Sequence, residues 1–204
     1  MRTFPDVRMR KLLSLAERAS AALNGDDYPE AKRLFRELLG QLAGHGLDSA
    51  SAHWGLAVTH DCLEEYDMAL NSILTALALD PLASATQRSF DVIVQRVREH
   101  LGRLPATDAS VPRLYALLQQ SGALDVPSHL VMARHLAETG RPDDAERLYA
   151  ALCRLAPASR DVWEARARFA DSRGDVTAAA TFRAEAQARG LAEVPYGIPT
   201  KEEH

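Results

Sequence analysis

The chain has 204 residues and a mass of 22.3 kDa, enough for one domain with a sizeable core or for one array of repeats with a short tail. Twenty-four basic residues against 28 acidic ones leave a net charge of −4, and a pI near 6.0 lacks the basic footprint of a nonspecific nucleic-acid binder. No run reaches the ~18 apolar residues of a membrane span. Two cysteines, Cys62 and Cys153, exclude a disulfide scaffold; both sit among apolar helix formers and read as buried free thiols.

Thirty-five Ala and 28 Leu point to an all-α chain, because both side chains lose little rotamer freedom in a helix. The first segment, MRTFPDVRMRKLLSLAERASAAL, starts basic and turns apolar. A secretory leader needs an uninterrupted apolar core of roughly 7–15 residues. Glu17 and Arg18 interrupt this one, so the segment reads as an amphipathic helix, and a cytoplasmic location is expected. From there apolar residues recur at three- and four-residue spacing, and no stretch alternates like a strand. Breakers divide the pattern at Asn24-Gly25-Asp26, Gly44-His45-Gly46, Asp80-Pro81, Gly102 to Pro105, Gly122, Gly140-Arg141-Pro142, Ala156-Pro157, Gly174-Asp175 and Gly190. Helices are predicted between them, near 7–24, 28–43, 48–63, 66–79, 83–103, 110–121, 127–139, 142–155, 160–173 and 176–189. Short loops make consecutive helices antiparallel neighbours.

The helix pairs repeat. Leu56-Ala57 precedes a turn at Glu64-Glu65, followed by Ala69, Ile73, Ala76 and Pro81. Met132-Ala133 precedes a turn at Gly140, followed by Ala145, Tyr149, Leu152 and Pro157 with the same spacing. Ala179 and Gly174 each lie 34 residues beyond Ala145 and Gly140, and Tyr28, Ala31, Phe35 and Leu38 carry the rhythm in the first pair. In each pair a small residue (Ala69, Ala145 or Ala179) lets the second helix approach the first. A larger residue four positions on (Phe35, Ile73 or Tyr149) fills the space between neighbours, and Pro81 and Pro157 end their pairs.

This pattern resembles the tetratricopeptide repeat (TPR) family. The resemblance covers the segments near 12–43, 50–83, 126–159 and 160–191. It is degenerate over 84–125, which spans 42 residues, has a long first helix and lacks a turn glycine. The resemblance implies one TPR-like domain over 1–193 and an extended tail over 194–204. The tail sequence VPYGIPTKEEH does not continue the last helix and is either frayed or a strap over the last pair. The implied fold is an all-α right-handed superhelical array of antiparallel helix pairs, an α-solenoid with one concave face.

Candidate chemistry is sparse. His53, His60 and Asp61, with His129 and His135, include residue types that bind metals. However, His53, His129 and Trp163 stand at equivalent places in their repeats, which makes the two histidines packing residues with a wet edge. No matching ligand spacing supports a metal site. Cys62 and His60 are two apart and do not share a helix face, and no phosphate-loop, dinucleotide, zinc-protease or nucleophile-elbow motif occurs. The expectation is a non-catalytic protein with no cofactor and no metal.

The resemblance makes the first helix of each pair line the concave groove. A 34-residue step from Trp54 reaches Arg88, and from Val58 it reaches Val92; Leu130 leads to Glu164, and Arg134 to Arg168. Arg96 lies one turn beyond Val92. The candidate partner-binding groove is therefore Trp54, Val58, Arg88, Val92, Arg96, Leu130, Arg134 and Arg168. It has an apolar stretch among guanidiniums whose planar forks suit carboxylates. The alternative for each arginine is a local pair with Glu138, Glu164 or Asp171. Trp54 and Val58 stand where the polar clamp residues of the family's co-chaperones are expected, and the chain has only three lysines, so a chaperone-tail adaptor is not expected.

Three readings follow. The first is a scaffold or adaptor that binds a peptide or helix of another protein, with acidic and apolar character. The second is a module that forms a homodimer within a larger complex. The third, which no residue supports, is an enzyme on a helical-repeat frame. Arg-rich, Lys-poor usage suggests a bacterial source.

Overall fold

A computed structural model describes residues 7–190 of the chain. The 194–204 tail, for which a frayed end or a strap is expected, lies outside the described residues. The described residues form ten helices: α1 (Val7–Asn24), α2 (Tyr28–Ala43), α3 (Ala50–Cys62), α4 (Tyr66–Leu79), α5 (Ser84–Arg103), α6 (Val111–Gln120), α7 (Val126–Glu138), α8 (Pro142–Leu155), α9 (Arg160–Ser172) and α10 (Val176–Gly190). Each lies within two residues of its predicted span, and no strand occurs among the described residues. This is the all-α helix-pair architecture of an α-solenoid.

The helix starts have local causes. The Asp27 carboxylate accepts from the Glu30 amide at 3.2 Å, and Pro29 opens α2 without an orphaned N–H. Ser49 and Asp125 cap α3 and α7 in the same way, at 3.2 and 2.9 Å. The turns inside pairs also share a closure. Glu65, Arg141 and Asp175 each send an N–H back five residues, to the carbonyls of His60, Leu136 and Ala170. That closure puts one residue in the left-handed region. Gly140 (φ 83°) and Gly174 (φ 78°) take it without steric cost. In the α3–α4 turn the same place falls to Glu64, at φ 58°.

The described residues divide into two compact units. One holds residues 7–103 with 116–123. Here each helix from α1 to α5 packs on the next, and α3 also touches α1 and α5, so α1, α3 and α5 form one layer and α2 and α4 the other. Its core joins Leu12, Leu15 and Ala19 to Ala31, Leu34, Phe35 and Leu38, and then to Ala52 and Leu56. The other unit holds 104–115 with 124–190. There α7 to α10 pack in sequence, with α7 on α9. Its core includes Ala133, Leu136, Ala145, Tyr149 and Phe169. The boundary falls inside the degenerate 84–125 stretch.

The small residues stand where the repeat register puts them. Ala31, Ala69, Ala145 and Ala179 are all fully buried, and Phe35, Ile73 and Tyr149 are buried beside them. His53 and His129 are half-buried with polar partners, Asp48 at 2.9 Å and the Tyr115 hydroxyl at 2.8 Å. Of the two cysteines expected to be buried, Cys153 is and Cys62 is not. Cys62 is the last residue of α3, and the turn that follows leaves it uncovered.

Candidate functional site

Five of the eight candidate groove residues lie in the first unit, and α3 and α5 gather them. Trp54, Val58 and Asp61 on α3 face Ala85, Arg88, Ser89, Val92 and Ile93 on α5 across an open depression of about 340 Å³. The two helices run parallel with a step of 35 residues. The Trp54 indole N–H donates to the Ser89 hydroxyl at 2.9 Å, and one level further along Arg96 donates to Asp61 Oδ2 at 2.7 Å. Trp54 is half-buried and its N–H is satisfied, so the indole is held in place before anything binds. Val92 is 52% exposed, an apolar side chain left to solvent in the middle of a helix.

The arginines are not equivalent. Arg88 makes no ion pair among the described residues and stands at the Trp54 end. Arg96, expected to offer its fork to a partner, spends it on Asp61. The acid that takes it lies on α3, not among the acids at Glu138, Glu164 and Asp171 that the sequence offered as local competitors. Asp61 is only 7% exposed, and its second oxygen, Oδ1, has no hydrogen-bond partner among the described residues. Burial pushes its carboxyl above the usual range, and Arg96 opposes that shift. Sequence reasoning missed Asp61 and Ser89 as groove residues. The available signal was the seven-residue step from Trp54 to Asp61, two helical turns along one face.

The other three candidates lie in the second unit. Leu130 on α7 is half-buried against the cores around Ala133 and Leu152, so it supports packing as well as any surface. Arg134 and Arg168 are exposed and make no ion pair among the described residues. Both act on Tyr149, opposing the upward push that burial gives its hydroxyl. Two of the three expected competitors are engaged elsewhere, Glu164 with Arg160 at 2.6 Å and Asp171 with Arg183. Arg168 also lines a depression of about 260 Å³ with Glu164, Arg183 and Gln187.

Nearby, on the α2 side of α3, a second polar cluster ties elements together. Glu65 receives the Lys32 ammonium at 2.5 Å and pairs with His60 Nδ1 at 2.5 Å. His60 is fully buried, and burial lowers its pKa against the pull of Glu65. Lys32 draws the Glu65 carboxyl below its usual range. No group of three or more His, Cys, Asp or Glu side chains among the described residues is placed to hold a metal ion. No described helix is long and apolar enough to cross a membrane.

Four helix pairs with a fully buried alanine at the close approach, and an open depression lined by the first helices α3 and α5, define a helical-repeat protein. The tetratricopeptide repeat models match residues 17–84 and 126–169, one in each unit, and the chain belongs to the tetratricopeptide repeat family. It is thereby a protein–protein interaction scaffold. No curated protein sequence matches the chain. Among solved structures it is similar to one described as MamA protein (13% identity, 92% of this chain and 96% of that chain, TM-score 0.47). Another is MamA 41-end from Desulfovibrio magneticus RS-1 (13% identity, 90% and 97%, TM-score 0.42). A third is YrrB, described as a TPR protein with an unusual peptide-binding site (13% identity, 92% and 94%, TM-score 0.44).

Proposed function

We propose that the chain is a non-catalytic adaptor that holds a peptide or helix segment of another protein along the first helices of its repeats, with Trp54 as the anchor. The observation that carries this reading is the Trp54 indole: half-exposed, fixed by Ser89 and set beside Val58 and Val92 in an open depression. Large aromatic side chains held rigid in a depression dominate binding energy at interfaces, because little entropy is lost when a partner packs on them. Arg88, in the same unit as Trp54 and without an internal ion pair among the described residues, adds a cationic point for a partner's carboxylate.

The test compares affinity capture on the wild-type chain and on Trp54→Ala, followed by titration of whatever protein the variant fails to retain. Trp54→Ala is expected to cost about 2 kcal/mol of binding or more while the melting temperature holds. Equal capture on both chains would remove Trp54 from the interface. A concentration-dependent dimer in sedimentation that also survives the change would favour self-assembly instead.

A further inference from the structure

Helix α9 shows how a helix seats on the pair before it. It packs against both α7 and α8. There Val162 and Phe169 of α9 join two core clusters with Val126, Leu130 and Ala133 of α7 and with Tyr149, Leu152 and Cys153 of α8. A step of 34 residues carries that seat onto α9 and α10. It reaches Arg160, Glu164 and Ala167 on α9 and Arg183, Ala186 and Gln187 on α10. These six residues, with Arg168, line one open depression of about 260 Å³. The seat of a helix is thus repeated in position and changed in chemistry. Its floor is small and buried, with Ala167 in the place of Ala133 and Ala186 in the place of Leu152. Around that floor Val126 and Tyr149 give way to Arg160 and Arg183, and Leu130 to Glu164. Glu164 pairs with Arg160 at 2.6 Å, Arg183 with the exposed Asp171, and Arg168 makes no ion pair among the described residues. Three guanidiniums against one carboxylate leave this face positive on a chain of net charge −4. An end that only meets water is served by polar side chains of either sign. An excess of one sign around a close-approach floor selects an occupant of the other sign. The α1 end of the array is not that occupant: Arg10, Lys11 and Arg18 line its depression with Glu37. A head-to-tail copy would bring like charges together.

We infer that the α9–α10 face is a second docking surface, separate from the Trp54 depression, and that it takes an acidic amphipathic helix of another protein. The helix lies on α9 and α10 as α9 lies on α7 and α8. Its small or apolar stripe meets Ala167 and Ala186, and the carboxylates beside that stripe meet Arg168 and Arg183. Arg183 keeps Asp171 while it does so, because a guanidinium has five N–H donors.

The test titrates the full chain into a fluorescent helix-forming peptide with leucine and alanine along one stripe and glutamates on both flanks. A twin peptide with lysine in place of each glutamate is the control. The acidic peptide is expected to bind at least about tenfold more tightly than its twin at low salt, with the gap closing as salt rises. Arg168→Glu should weaken the acidic peptide about tenfold and strengthen the lysine twin, a charge-reversal rescue that a merely structural role would not give. Arg134→Glu, one repeat earlier and outside this face, should leave both unchanged. Equal binding of the two peptides, or none, would overturn the inference and leave this face as the solvated end of the array. Binding lost in Trp54→Ala and kept in Arg168→Glu would move the peptide to the α3–α5 depression, which overturns this inference and leaves the proposed function standing. Displacement of the acidic peptide by a synthetic peptide of residues 191–204 would assign the face to this chain's own sequence. Self-association of the chain that Arg168→Glu abolishes would assign it to a second copy. Either result overturns the partner named here.

Discussion

The α3–α4 and α7–α8 pairs occupy the same frame, 76 residues apart, and hold it by different means. Where α7 has Val131, α3 has Gly55, and the Phe35 ring from α2 fills the space: a Cβ on Gly55 would stand 2.3 Å from the ring. Leu136 stands in the core, and its counterpart His60 is bonded to Glu65, itself held by Lys32. The counterpart of Ala137 is Asp61, bonded to Arg96. Gly140 makes the left-handed turn without steric cost, and Glu64 makes the equivalent turn as a non-glycine residue. From α8 the ring of Tyr149 packs on Phe169 of α9 at 5.1 Å. The first pair depends on partners from α2 and α5 that complete its polar groups. The second pair carries the apolar Leu136 and Ala137 at those two places, and its polar groups reach outside the pair elsewhere, His135 to the Ala106 carbonyl at 2.6 Å and His129 to the Tyr115 hydroxyl at 2.8 Å. The difference shows how one repeat of an array acquires a chemically distinct surface without losing the repeat geometry.

Four tests break or sharpen that contrast. The largest expected effect is Gly55→Val, which places in α3 the residue α7 carries at the equivalent site. The buried Phe35 ring would have to shift within the core, and about 3 kcal/mol of stability should be lost, read as a lower urea midpoint. An unchanged midpoint would mean that the ring repacks freely. Next is Ala145→Leu, which overpacks a fully buried contact between α7 and α8 and should cost about 1–3 kcal/mol. The exposed Ala158→Leu should stay within about 0.5 kcal/mol. Matching melting temperatures for the two would contradict the packing role of the pair's alanine.

The third effect depends on pH. The folded-state pKa of His60 is depressed by burial, so the unfolded chain binds the proton first as pH falls below about 6.5. The stability that neutral His60 contributes is therefore complete above that value and is lost on acidification. The stability difference between wild type and His60→Leu, the residue found at Leu136, should shift toward the variant between pH 7 and pH 5. A pH-independent difference would show that Glu65 offsets the burial of His60 fully. The smallest effect is at the turns. Glu64→Gly relieves a left-handed non-glycine residue and should stabilise by up to about 1 kcal/mol, and Gly140→Glu should cost a similar amount. Both would appear as shifts of the thermal midpoint in opposite directions.

Helix positions, pair register and the family were legible in the chain itself, because each rests on interactions local in sequence. Apolar spacing sets the buried face of a helix. Gly and Pro interrupt it through their own backbone limits, and the interval between Ala145 and Tyr149 repeats that between Ala69 and Ile73 whatever the neighbours do. Trp54, Val58, Arg88 and Val92 could be placed together from the 34-residue step alone. The tertiary structure decided how the side chains at those places are used. Arg96 turned from a free cation into the partner of a buried acid, Asp61 entered the groove, Gly55 became the seat of a ring from another helix, and Cys62 came out to solvent. Each of these depends on contacts between side chains some 20–35 residues apart, where one residue of difference between the 34-residue repeat and the 35-residue pairing of α3 with α5 chooses which groups meet. Hydrogen bonds and close packing reach only ~3–4 Å, so a periodicity that locates a helix face does not resolve which side chains on it touch.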